Sequence, residues 1–76
     1  MIGMLWFDDD PDKTLETVIG EAAAYYRKKY GADPNICMVN TAATGSAPAG
    51  ITLRYNKTIR PNSLLIGVEN GIHPGA

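Results

Sequence analysis

The chain has little of the chemistry that fixes small folds or builds active sites. Its 76 residues contain one cysteine, Cys37, and one histidine, His73. One cysteine cannot form an internal disulfide, and one Cys with one His cannot supply the four ligands of a usual zinc site. A chain this close to the lower size limit for unaided folding must therefore depend on packing, with self-association as a further source of stability.

An excess of charge and long apolar runs are also missing. The net charge of -1 gives no general attraction to nucleic acid or to anionic membranes. No apolar run approaches the roughly 20 residues of a membrane span, and the opening MIGMLWFDDD lacks the basic region of a signal peptide. A hydrophobic fraction of 45% and a charged fraction of 20% are ordinary for a soluble globular domain. Because no targeting segment is visible, we expect a cytoplasmic location by default.

One stretch, from Pro11 to Tyr30, carries clear helix signals. Asp10 is the expected N-cap, and Gly31 is the expected left-handed residue at the end. Gly20 costs about 1 kcal/mol relative to alanine inside a helix, which suggests that another backbone approaches closely there. The periodicity predicts a buried stripe at i, i+3, i+4 and i+7 spacing, made of Leu15, Val18, Ile19, Ala22, Tyr26 and Tyr30.

The remaining apolar runs are short and read as strands. The predicted strands cover residues 1–7, 35–40, 51–55 and 64–68. This order predicts an α+β fold of two layers, with one long helix on a mixed sheet of three to four strands in a domain of residues 1–69. If the first two strands are parallel neighbours, the helix is a right-handed crossover between them, and the later strands follow by hairpin-like connections. Residues 70–76 are expected to form a flexible tail.

A single helix covers one face of such a sheet and leaves the other face open. We assign to the open face a partly apolar set, which consists of Cys37, Val39, Thr52, Arg54 and Leu65. Apolar side chains on an open face predict a partner, either a second copy of the chain or a different protein. The alternative is that the loop at 41–50 or the tail folds over this face.

The acidic cluster after the first strand suggests a ligand or metal site. Asp8 and Asp10 resemble the Asp-x-Asp of haloacid-dehalogenase-like enzymes, which implies phosphate transfer beside magnesium, but those enzymes need a doubly wound domain that this chain has no room for. Asp8, Asp10 and Asp12 also match the first three ligand positions of a calcium loop. Lys13 then stands where that loop needs glycine, so helix capping and solvation explain the cluster adequately.

Basic residues suggest a second kind of surface. Tyr55 lies among the basic residues of one segment, which is the pattern of a single-stranded nucleic-acid surface. The helix end adds further positive charge, and the full candidate set is Arg54, Lys57, Arg60, Arg27 and Lys28. Because the whole chain is slightly acidic, a solvated face is the simpler interpretation, and nucleic-acid binding is kept as the alternative function.

Two other features have weak functional interpretations. Cys37 and His73 are the only Cys/His combination, but a mid-strand thiol is usually buried and a tail histidine is poorly placed as a base. The loop at 41–50 is rich in small residues and is either a mobile surface loop or a ligand-binding one.

The segments LWFDDDP, AAAYYRKKYG, PNICMVN and LLIGVE resemble a family of small bacterial proteins that carries no catalytic signature. The likeness covers most of the chain except the 41–50 loop and the tail. It implies a free-standing small protein and no particular activity. We therefore expect a non-enzymatic protein without cofactor or metal, acting through protein–protein contact as a homodimer or adaptor. Nucleic-acid binding comes second, and a ligand or metal site at the acidic turn third.

Overall fold

The computed structural model describes residues 2–69, whose elements follow in the order strand, helix, strand, strand, strand. They are β1 (Ile2–Phe7), α1 (Leu15–Tyr30), β2 (Ile36–Val39), β3 (Thr52–Tyr55) and β4 (Ser63–Val68). One helix on a four-stranded mixed sheet confirms the predicted α+β fold. The helix has 16 residues and is therefore about 24 Å long. No helix within these residues is long and apolar enough to cross a membrane. The predicted tail lies outside them.

The helix begins four residues later than the sequence predicts. Its N-cap is Thr14, whose Oγ1 accepts the backbone N–H of Thr17 at 3.1 Å. The predicted cap, Asp10, is wrong because its carboxylate accepts the backbone N–H of Asp12 at 2.9 Å and closes a separate turn. An aspartate before a proline suits both roles, so the local pattern did not distinguish them.

The two glycines of the helix region have different roles. Gly31 has a φ of 72°, and its N–H donates to the carbonyl oxygen of Arg27 at 2.8 Å, which confirms the predicted end of the helix. Gly20 does not mark a close approach, because a Cβ placed there would meet nothing within 4 Å. Gly20 is thus a weak point of the helix and makes no contact that requires glycine.

The sheet has the strand order β1-β4-β2-β3. β4 is antiparallel to both β1 and β2, so these two strands run parallel to each other with β4 between them. The first two strands are therefore not neighbours, and α1 crosses over an intervening strand. β2 and β3 are parallel neighbours, so the predicted hairpin-like connection between them is wrong.

The loop at 41–50 makes the crossover between β2 and β3, as a parallel pair requires. Ala43 and Ala47 pack against the core cluster, and the Ser46 hydroxyl donates to the Glu16 carboxylate at 3.4 Å. A Cβ on Gly45 would lie 2.9 Å from the Cβ of Leu15. The loop thus packs on the helix side of the sheet and does not cover the open face.

The core lies between α1 and the sheet. From the helix it takes Val18, Ile19, Ala22, Ala23 and Tyr26, and from the sheet Met4, Cys37, Val39, Leu64 and Ile66. Tyr26 is 2% exposed, whereas Tyr30 is 44% exposed and leaves the predicted stripe because it is the last helical residue. The Trp6 ring packs at 5.3 Å from that of Tyr25.

The strand register separates the two faces of the sheet. Cys37 lies opposite Ile66 and Val39 lies opposite Leu64, and all four belong to the core cluster. The assignment of Cys37 and Val39 to the open face is therefore wrong. β2 is a central strand with apolar side chains on both faces, and Ile36 is fully buried on the face away from the helix. Because its sequence does not alternate between apolar and polar residues, the sequence alone does not show which residues of β2 face the helix.

Candidate protein interface

The face of the sheet opposite α1 carries the most exposed large apolar side chains among the described residues. Leu5 is 69% exposed and Phe7 is 62% exposed, and both lie on β1. Leu65 of β4 stands directly opposite Leu5 and is half-buried. We call Leu5, Phe7 and Leu65 the β1 patch. Adjacent exposed apolar side chains of this size are typical of contact surfaces.

β1 is also an edge strand, so one side of its backbone has no strand beside it within residues 2–69. The N–H of Asp8 donates to the carbonyl oxygen of Asn62 at 3.0 Å and so points toward β4. Because backbone groups alternate along a strand, those of Gly3, Leu5 and Phe7 point toward the free edge. Their N–H and C=O groups form a row that another strand can pair with.

The two edges of the sheet differ in how well they are protected. β3, at one edge, is only four residues long and carries the charged Arg54. β1, at the other edge, is six residues long and contains neither proline nor a charged side chain. Short strands, proline and charge are the devices that usually keep an edge from pairing. β1 has none of the three.

Three of the five residues predicted for the contact surface do lie on the open face. Thr52, Arg54 and Leu65 share it by register, and the Arg54 guanidinium contacts the Glu69 carboxylate at 3.3 Å. Sequence reasoning missed Leu5 and Phe7. The available signal was an uncharged apolar strand in which neighbouring bulky residues must point to opposite faces.

Cys37 has no surface role in this arrangement. Its side chain is fully buried in the core, and burial raises the pKa of the thiol to about 12. The thiolate, which is the reactive form, is therefore almost absent at neutral pH. His73, its only possible Cys/His partner, lies outside the described residues.

The candidate basic residues do not form one surface. Arg54 and Arg27 each have a carboxylate partner, Glu69 and Asp33 respectively. Lys57 follows β3 and Arg60 precedes β4, so both lie at the end of the sheet where β2 and β3 finish. Arg27 and Lys28 lie in the last turn of α1, which leads to the opposite end of the sheet, where β2 begins. The predicted grouping of these five cations is therefore wrong.

A cleft lies at the end of the sheet where β1 and β2 finish, beside the start of α1. Lys13 Nζ contacts the Asp8 carboxylate at 2.9 Å and the Glu21 carboxylate at 3.1 Å. The Asp10 N–H and the Lys13 ammonium lower the pKa of Asp8, and the Asp8 and Glu21 carboxylates raise the pKa of Lys13. These contacts tie the acidic turn to the helix.

The cleft has a volume of about 240 Å³, below the roughly 300–1,000 Å³ typical of ligand pockets. Its polar groups also have internal partners. The Asn40 side chain, for example, donates to the Ile59 carbonyl at 2.8 Å and accepts the Ala42 N–H at 2.9 Å. Across residues 2–69, no group of three or more His, Cys, Asp or Glu could hold a metal ion. The geometry does not favour the predicted ligand or metal alternative at Asp8, Asp10 and Asp12.

Comparison of the chain with protein-family models, curated proteins and solved structures gives no match. The resemblance to a family of small bacterial proteins therefore remains a prediction.

Proposed function

We propose that this chain acts without enzymatic chemistry, through protein–protein contact, and that its partner is a second copy of itself. The contact uses the β1 patch on the open face of the sheet. The exposure of Leu5 and Phe7, two large apolar side chains side by side on an unprotected edge strand, carries the proposal. The cytoplasm remains the expected location of this contact.

The energetics support a weak, concentration-dependent dimer. Burying a leucine or phenylalanine side chain fully gives about 1.5–3 kcal/mol, so two copies of Leu5 and Phe7 give at most about 6–12 kcal/mol. Association costs an estimated 4–15 kcal/mol in lost motion. At the favourable end of both ranges the net gain is about 8 kcal/mol, which corresponds to a dissociation constant near micromolar, so side-chain burial alone gives a dimer no tighter than that.

Sedimentation equilibrium over a wide range of protein concentration tests the proposal. We expect monomer at low concentration and dimer at high concentration. The double variant Leu5→Ser, Phe7→Ser removes the two most exposed side chains of the β1 patch and is expected to stay monomeric. Both side chains are mostly exposed in the monomer, so the variant should keep its fold, which circular dichroism checks.

Tyr55→Ser is the matched control. Tyr55 is 52% exposed and lies on β3, at the other edge of the sheet. Its replacement removes one exposed aromatic side chain, so it is compared with Phe7→Ser alone, and we expect dimerisation to be unchanged. A wild-type chain that stays monomeric at its highest soluble concentration would overturn the proposal, as would equal weakening by the Tyr55 variant.

Nucleic-acid binding is the other candidate function, and no specific geometric feature favours it. Its residues divide between the two opposite ends of the strands, and two of them are paired with carboxylates. A gel shift at low salt with a single-stranded oligonucleotide tests it, because phosphate contacts give binding that weakens steeply as salt is added.

A further inference from the structure

We infer that two copies of the chain join through β1 itself, which pairs antiparallel with β1 of the second copy around a two-fold axis at Leu5. This inference rests on the proposed homodimer and specifies its geometry. The two four-stranded sheets become one continuous sheet of eight strands, with both helices on the same side.

The direction and register follow from the free edge. Only Gly3, Leu5 and Phe7 direct backbone groups away from β4 within β1. A two-fold axis at Leu5 pairs Leu5 with Leu5 and Gly3 with Phe7 of the second copy, so that all three positions exchange hydrogen bonds. An axis one residue earlier or later leaves one of the three without a partner inside the strand.

The side chains on the open face also match in this register. Leu5 of each copy meets Leu5 of the other at the centre, with Leu65 beside it on β4. Phe7 lies across from Gly3, which has no side chain and so leaves room for the ring. The exposed apolar side chains of the β1 patch therefore come together along the same line as the free backbone groups.

Charge selects the antiparallel direction. Asp8, Asp9 and Asp10 follow β1 directly. Two parallel copies of β1 would place these acidic turns side by side, where like charges repel. Antiparallel copies place them at opposite ends of the joined strands.

Amide hydrogen exchange on the wild-type chain tests the pairing directly. The N–H groups of Met4 and Trp6 point toward β4 and should be protected at every protein concentration. Those of Leu5 and Phe7 should be protected only at concentrations at which the dimer forms. If the dimer forms and the Leu5 and Phe7 amides exchange as fast as in the monomer, the β1 pairing is overturned while the homodimer stands. A chain that never dimerises overturns both.

Gly3→Pro separates edge pairing from packing of the open faces. Proline removes the Gly3 N–H, which points to the free edge and makes no bond to β4, so an edge strand tolerates it, and the three side chains of the β1 patch stay in place. We expect the variant to be folded by circular dichroism and monomeric by sedimentation equilibrium. A folded Gly3→Pro variant that dimerises as the wild type does would overturn the inference and favour face-to-face packing.

Cysteine cross-linking tests the register without proline. Gly3→Cys and Phe7→Cys chains mixed together place the two thiols on directly opposed residues, about 5.5 Å apart at Cα, within disulfide range. In either variant alone the two thiols lie four residues apart along the strands, about 13 Å. We expect the mixture to cross-link and each variant alone not to do so. Equal cross-linking in all three samples would overturn the Leu5-centred register. The buried Cys37 does not compete for cross-linking.

Discussion

Replacing three glycines with alanine gives a graded test of the fold, because their surroundings differ in one respect at a time. Gly20 lies inside α1, and a Cβ there meets nothing within 4 Å. Gly31 has an equally open site but a φ of +72°. Gly45 has a φ of +126°, and its Cβ would stand 2.9 Å from the Cβ of Leu15. The series therefore adds backbone strain first and a steric clash second.

The three substitutions have different expected effects on the free energy of unfolding. Gly20→Ala should raise it by about 1 kcal/mol, since alanine is the better helix former and the site has room. Gly31→Ala should lower it by about 1–2 kcal/mol, which is the cost of a left-handed backbone for an L-residue. Gly45→Ala should lower the free energy of unfolding by about 1–3 kcal/mol through backbone strain. Overpacking against Leu15 should lower it by about 1–3 kcal/mol more.

Urea denaturation followed by circular dichroism measures these differences. All samples need the same protein concentration, because dimerisation raises apparent stability by mass action. A 76-residue chain is expected to have a total stability of about 4–11 kcal/mol, so Gly45→Ala removes a large part of it. The expected order of stability is Gly20→Ala, wild type, Gly31→Ala, Gly45→Ala. A destabilised Gly20→Ala variant would contradict the open space around Gly20. A neutral Gly45→Ala variant would contradict the packing of the 41–50 loop on Leu15.

Two further predictions concern the core and the helix start. Cys37 has a folded pKa of about 12 against an ordinary value of 9.0, so its contribution to stability is present below pH 9 and falls by about 1.4 kcal/mol per pH unit above it. The stability advantage of the wild type over Cys37→Ala should therefore shrink by about 2–3 kcal/mol between pH 9 and pH 11 in urea titrations, and a constant difference would contradict the buried thiol. Thr14→Ala should cost about 1 kcal/mol because it removes the N-cap, whereas Asp10→Ala should cost less than about 0.5 kcal/mol. The reverse order would restore Asp10 as the cap.

The sequence was sufficient for features that depend on neighbouring residues. The spacing of Val18, Ile19, Ala22 and Tyr26 predicts the buried stripe because a helix repeats every 3.6 residues, and Gly31 predicts its end. The start of the helix was predicted wrongly, at Asp10 instead of Thr14. Thr14 directly precedes the first apolar residue of the stripe, which is a cap signal, but the acidic turn before it offered a second one.

Features set by distant strands could not be read from the sequence. The four apolar residues of β2 show no alternation, so nothing local decides whether Cys37 or Met38 faces the helix. That choice follows from the register with Leu65 and Ile66, which lie almost thirty residues later in the chain. The exposure of Leu5 and Phe7 has the same origin, because it depends on β4 pairing with only one side of β1.

The position of β4 connects the fold to the proposed contact. Had β1 and β2 been neighbours, as the strand–helix–strand order suggests, β1 could have had a strand on each side. β4 instead enters between them and pairs with both, which occupies one side of β1 and leaves the other free. A six-residue uncharged edge is a liability that monomeric proteins usually suppress. In this chain the unprotected edge also carries the most exposed large apolar side chains of the described residues, and for that reason we place the proposed contact at β1.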